Sequence, residues 1–142
     1  MLKKGLDSNM NKYVKFLPYA EEFIKNLKKS EVKLAVVTSD SYLHTKEILK
    51  ILNIDDCIEC VIGKDSCQND KKSGEPALMA INLLKVKPED TIVIGDALMD
   101  FMMSKNSGLK GAILVSTGQT DFDVLKECTN YIAEDLSMVT IK

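Results

Sequence analysis

Val32-Lys33-Leu34-Ala35-Val36-Val37-Thr38-Ser39-Asp40 joins an apolar run directly to a polar, hydroxyl-bearing end. A short β-rich run, buried on both faces towards its end, stops on two hydroxyls and an acid, which is how a strand of a parallel sheet reads. Just upstream, Ala20, Phe23, Ile24 and Leu27 recur at helical spacing, with Pro18 as a start signal. Downstream, Thr45, Ile48, Leu49 and Leu52 form the inner side of a second helix whose outer side carries Lys46, Glu47 and Lys50. A strand between two helices is the unit of an α/β sheet.

The same alternation runs on. Ile58 to Ile62 reads as a short strand, and Gly63 to Glu75 as a polar loop. Pro76 then opens a helix striped by Ala77, Ala80, Ile81 and Leu84. After a turn at Lys87 to Asp90, Thr91 to Ile94 is an apolar strand ending on Gly95-Asp96, followed by a helix with Leu98, Phe101 and Met102 that Gly108 closes. Ala112 to Val115 is read as the last strand and Val124 to Cys128 as a short helix. The order α-β-α-β-α-β-α-β-α predicts a three-layer, Rossmann-like parallel α/β domain. Residues 16–142 form it, and 1–15 are a polar leading segment.

Composition narrows the function. The 142 residues are 45% hydrophobic and 28% charged, enough for one core, with a net charge of −2 and no dense basic cluster. Nucleic acid and membrane are not expected partners, and the opening residues lack a signal-peptide core, so the chain reads as cytoplasmic. Cys57, Cys60, Cys67 and Cys128 lack the second ligand pair a structural zinc site needs, and read as reduced thiols. His44 reads as a surface residue, and the seven methionines as packing filler.

Ligands of such sheets collect at the carboxyl ends of strands. There, Thr38-Ser39-Asp40 offers hydroxyls and the N–H groups of the next helix to an anion, or simply caps that helix. Gly95-Asp96-Ala97-Leu98-Met99-Asp100 offers two carboxylates four apart, a spacing suited to Mg²⁺, or again a cap. Lys71-Lys72, in the loop before Pro76, could neutralise a phosphoryl group.

In this order, the motifs resemble those of the haloacid dehalogenase superfamily of phosphohydrolases, nearest its phosphoglycolate phosphatase and β-phosphoglucomutase-like branch. Leu17-Pro18-Tyr19-Ala20-Glu21-Glu22 resembles the helix before the family's second motif, and Val36-Val37-Thr38-Ser39 that motif itself. Lys71 falls at the family's Lys-Pro-x-Pro lysine, with Lys72 the fallback. Gly95 to Asp100 resembles the fourth motif, and Ser107-Gly108 with Thr117-Gly118-Gln119 the pattern beyond it. The resemblance implies a phosphatase of small phosphorylated metabolites. Thr38, Ser39 and Lys71 would hold the phosphoryl group, Asp96 and Asp100 would bind Mg²⁺, and Lys71 and Asp96 would be catalytic.

Two features depart from the pattern. Lys72 and Gly74 replace the prolines after the lysine, and no strand upstream of Val32 ends in the Asp-x-Asp-x-Thr that supplies the family's nucleophile. Asp7 lies in a polar stretch, and Asp121-Phe122-Asp123 follows Thr117 to Thr120 rather than a strand, so it reads as a helix start. The chain thus resembles a C-terminal piece of the family's protein, with 1–15 a remnant of its cap. A phosphohydrolase fragment and an inactive phosphate- or partner-binding module are the two readings. A two-component receiver is disfavoured because Lys71 precedes Asp96. Without the first-motif strand, Val32 to Val37 and Thr91 to Ile94 are expected to pair directly; a strand from the opening residues, or self-association through the incomplete sheet, are the other repairs.

Overall fold

The computed structural model describes residues 14–17, 19–116 and 132–139. The opening segment, Pro18, Thr117 to Gln119, Asp121, Asp123 and the expected helix at Val124 to Cys128 lie outside the described residues. Helix α1 (Ala20–Lys29) carries Glu21 and Glu22 in its first turn and Lys28 and Lys29 in its last, both favourable to the helix dipole. Strand β1 (Ala35–Val37) leads into α2 (Tyr42–Ile51), whose N-cap Ser41 accepts the His44 N–H through its hydroxyl. Strand β2 (Cys60–Ile62) and a 3-10 turn (Lys71–Ser73) precede α3 (Glu75–Leu84), with Pro76 in its first turn. Strand β3 (Ile92–Gly95), α4 (Leu98–Asn106) and β4 (Gly111–Val115) complete the alternation.

The α/β reading holds, with strand boundaries shorter than the apolar runs. Lys33 spends its ammonium on the Leu84 carbonyl, 2.8 Å away, and the ladder takes hold only where the Glu59 N–H reaches the Leu34 carbonyl. A further strand, β5 (Ile132–Ala133), pairs parallel to β4 through Leu114 and Val115, so Ala112 to Val115 is not the last strand. With only two residues, β5 leaves no period to read.

The expected direct pairing of the strands ending at Thr38 and Asp96 does not occur. The described strands form two parallel ladders, β1-β2 and β3-β4-β5. Each ladder packs its own core: Leu49, Ile54 and Val61 on one side, Ala112 and Leu114 on the other. Helix α3 packs against both β1 and β2 and also touches α4, while the Lys71 turn lies along α4. This helix layer fixes the spacing of the ladders, and closing them would mean sliding close-packed helices. The facing strands accordingly stay half-buried: β1, read from the sequence as buried on both faces towards its end, is partly buried throughout, and Ile92 of β3 is 46% exposed.

Candidate functional site

The loops after β1 and β2 are locked together. The Thr38 N–H donates to the Ile62 carbonyl at 2.9 Å, the Lys64 N–H to the Asp40 carbonyl at 2.8 Å, and the Tyr42 N–H to Asp65 Oδ1 at 2.8 Å. Gly63 makes this approach feasible, because a Cβ there would lie 2.4 Å from the Tyr42 nitrogen. Asp40 accepts from the Ser41 N–H through Oδ1 and meets His44 Nδ1 through Oδ2. His44 is therefore a partnered, partly buried ring, not the surface residue expected. The N–H groups of Ser41, Tyr42 and His44 are all spent on these side chains, so the start of α2 is less an anion cradle than its sequence suggests.

On the other ladder, Asp100 in the first turn of α4 is 4% exposed. Its Oδ2 accepts from the backbone N–H groups of Asp96 and Ala97 at 3.2 Å each, a carboxylate reaching back over its own helix start. Its Oδ1 takes the Lys71 ammonium at 2.8 Å. Lys71 arrives there because Asp70 caps the 3-10 turn and Gly74, at φ 88°, turns the chain against Asn106. Asn106 Nδ2 donates to the Lys72 carbonyl at 2.6 Å.

Thr38, Ser39 and Lys71, singled out in the sequence, line one cavity of about 300 Å³. Gly63, Lys64, Gln68, Asn69, Asp70 and Pro76 complete its wall. Lys72 is exposed and outside that wall. Asp96 and Asp100 belong to the adjoining turn. Sequence reading passed over Lys64, although the rule that ligands gather at strand ends applies to β2 as it does to β1.

Asp96 and Asp100 gain no third potential metal ligand among the described residues. Among the described residues no group of three His, Cys, Asp or Glu side chains could hold a metal, and both Asp100 oxygens already have partners. Cys57, Cys60 and Cys67 are free thiols, each with its pKa raised first by burial and then by a nearby carboxylate, Asp56, Glu59 or Glu75. They are poor thiolates and poor metal ligands. Among the described residues no helix is long and apolar enough to cross a membrane.

Parallel strands β1 and β2, whose carboxyl ends open on a polar, lysine-bearing cavity, define an α/β protein with its candidate site where such sheets gather ligands. The model of the haloacid dehalogenase-like hydrolases matches residues 1–114, and the chain belongs to that family. The pyrophosphatase PpaX of Halalkalibacterium halodurans is 33% identical over 93 residues, 66% of this chain and 43% of the relative. The phosphoglycolate phosphatase of Aquifex aeolicus is 29% identical over 134 residues, 86% of this chain and 63% of the relative. The chain thus spans less than two thirds of the length of these relatives. A haloacid dehalogenase-like family hydrolase from Streptococcus pneumoniae superposes with a TM-score of 0.72 at 21% identity, over 84% of this chain and 55% of that one, and shows the shared fold.

Proposed function

We propose that this chain is the phosphoryl-binding part of a phosphohydrolase acting on a small phosphorylated molecule. One observation carries the reading: Lys71 lines the cavity that Thr38 and Ser39 wall, with its ammonium held by the buried Asp100 at 2.8 Å. A cation fixed beforehand stabilises charge on a transferring phosphoryl group without reorganising. The Thr38 oxygen accepts the Asp40 N–H at 3.1 Å, which leaves its hydroxyl proton to donate to a phosphoryl oxygen. Asp100 is a positioning residue for Lys71 in this reading. Family membership and the phosphatase names of both relatives support the substrate class.

The nucleophile is the part that the described residues do not supply. An aspartyl route needs a carboxylate facing the phosphorus, and of the cavity's wall only Asp70 is an acid, with Oδ1 accepting the Ser73 N–H. The chain alone is expected to show no turnover of an aryl phosphate with Mg²⁺, yet to bind inorganic phosphate, with Lys71→Met weakening binding about tenfold or more. Phosphate binding indifferent to that substitution would overturn the reading. Turnover abolished by replacing Asp121 or Asp123 would put the nucleophile within this sequence.

Magnesium is the cofactor the family resemblance implies, with Asp96 and Asp100 the carboxylates assigned to it here. A hard cation with so few charged ligands is held loosely, at about a millimolar or weaker. Calorimetric titration of the chain and of Asp96→Asn checks this, and tight binding that survives the substitution would remove Asp96 from the role.

A further inference from the structure

Gln68-Asn69-Asp70-Lys71-Lys72-Ser73-Gly74 contains no apolar side chain, and yet Gln68 to Lys71 form one side of the cavity wall. With no apolar surface of its own to bury, and with Gly74 at φ 88° at its end, the segment depends on hydrogen bonds for its shape. Glu75, the half-buried first residue of α3, is the hub of those bonds. Its Oε2 accepts from the Asn69 N–H at 2.9 Å and from Asn69 Nδ2 at 2.6 Å, and its Oε1 from the Gln68 N–H at 3.4 Å. The Glu75 N–H donates to Ser73 Oγ at 3.1 Å, and that hydroxyl donates to the Asp70 carbonyl at 2.7 Å. The chain from Gln68 to Glu75 is thus tied into a ring, with Lys71 in its middle. No ion pair among the described residues includes Glu75, so its charge is committed to the N–H groups of this segment. Those bonds hold its carboxyl below the ordinary value, the Asn69 side chain contributing first.

We infer that Glu75 is a positioning residue of this site, fixing the wall from Gln68 to Lys71 without itself touching the ligand. This rests on the phosphoryl-binding reading and adds to it a residue outside the cavity. Two effects oppose each other at Glu75. Its negative charge beside an anion site disfavours the anion, whereas the order it imposes spares the anion from having to order the wall. The second effect is the larger. The charge is partly open to screening solvent and is spread over three donors, while freeing two backbone residues of the wall leaves their conformational entropy to be lost on binding.

The sign of one substitution separates the two effects. Glu75→Gln keeps the size of the side chain, removes the charge, and sets one acceptor and one donor against three N–H groups. Affinity for inorganic phosphate, by calorimetry in EDTA at fixed ionic strength, is expected to fall about fivefold in Glu75→Gln and about tenfold in Glu75→Ala, where loss of charge alone would raise it. Glu89→Gln removes an equal charge from the turn beyond the far end of α3 and should leave the affinity within about twofold. Nitrogen-15 relaxation of the unliganded protein reads the wall directly. Order parameters of the Gln68, Asn69 and Asp70 amides are expected near about 0.85 in the intact chain and below about 0.6 in both Glu75 variants, with β4 unchanged as the sign that each is folded. Glu75→Gln preserves the packing, so it decides the matter alone if Glu75→Ala does not fold. Order parameters that the substitution leaves unchanged overturn the inference, and so does a phosphate affinity that holds or rises while the wall loosens; either leaves the phosphoryl-binding reading standing. Failure of the intact chain to bind phosphate overturns both.

Discussion

Replacing Asp100 with alanine is expected to cost about 3 kcal/mol or more of folding stability, and more than removing the lysine it holds. The substitution strips the ion partner from Lys71, whose side chain is only 17% exposed. It also leaves the Asp96 and Ala97 N–H groups without their shared acceptor, at about 1 kcal/mol each where water cannot reach them. Lys71→Met removes the cation but leaves the carboxylate its two backbone donors, so about 1–2 kcal/mol is expected. Urea unfolding at neutral pH, read from the midpoint at constant slope, ranks the two. A larger loss for Lys71→Met would reverse the dependence, with the lysine organising the carboxylate.

Gly95→Ala is expected to be nearly as damaging, for a steric reason. A Cβ on Gly95 would lie 2.2 Å from Asp100 Oδ2 and 2.4 Å from its Cγ. The carboxylate cannot swing aside cheaply, because Lys71 and two backbone N–H groups hold it from other directions. Either those bonds break or the turn shifts, and a loss of about 2–3 kcal/mol follows. Gly111→Ala is the control: its Cβ would meet nothing within 4 Å, and a change within about 0.5 kcal/mol is expected. Phosphate affinity should fall with Gly95→Ala and not with Gly111→Ala. Equal unfolding midpoints for the two variants would mean that the Gly95 turn has slack the observed distances do not show.

The helices were legible because their signal is long. Ala20 to Leu27 and Ala77 to Leu84 repeat over at least two turns, and Pro76 marks a start that propensity alone would blur. Thr38, Ser39 and Lys71 could be brought together in advance because strand ends and motif order are properties of the chain. The partnership of Asp100 with Lys71 was not legible, since the two acids in Gly95 to Asp100 suggest joint ligation, and the lysine comes from 29 residues away. The ladder division was missed for a related reason. Apolar strands announce that they will pair, and which edge they use is set by helices packed elsewhere.

On the proposed phosphoryl-binding reading, the division into two ladders gives the anion a mechanical role. Thr38 and Ser39 belong to the β1-β2 unit, and Lys71 rides on the turn packed along α4 beside β3. An anion gripped by both sets is a removable strut across the joint, contributing to cohesion by mass action as RT ln(1 + [L]/Kd). At a hundredfold excess over its dissociation constant that strut is worth about 2.7 kcal/mol, comparable to the whole loss expected of Asp100→Ala beside it. On the phosphoryl-binding reading, the stability of this fold is therefore set in part by its surroundings, rising and falling with the concentration of phosphorylated solutes around it.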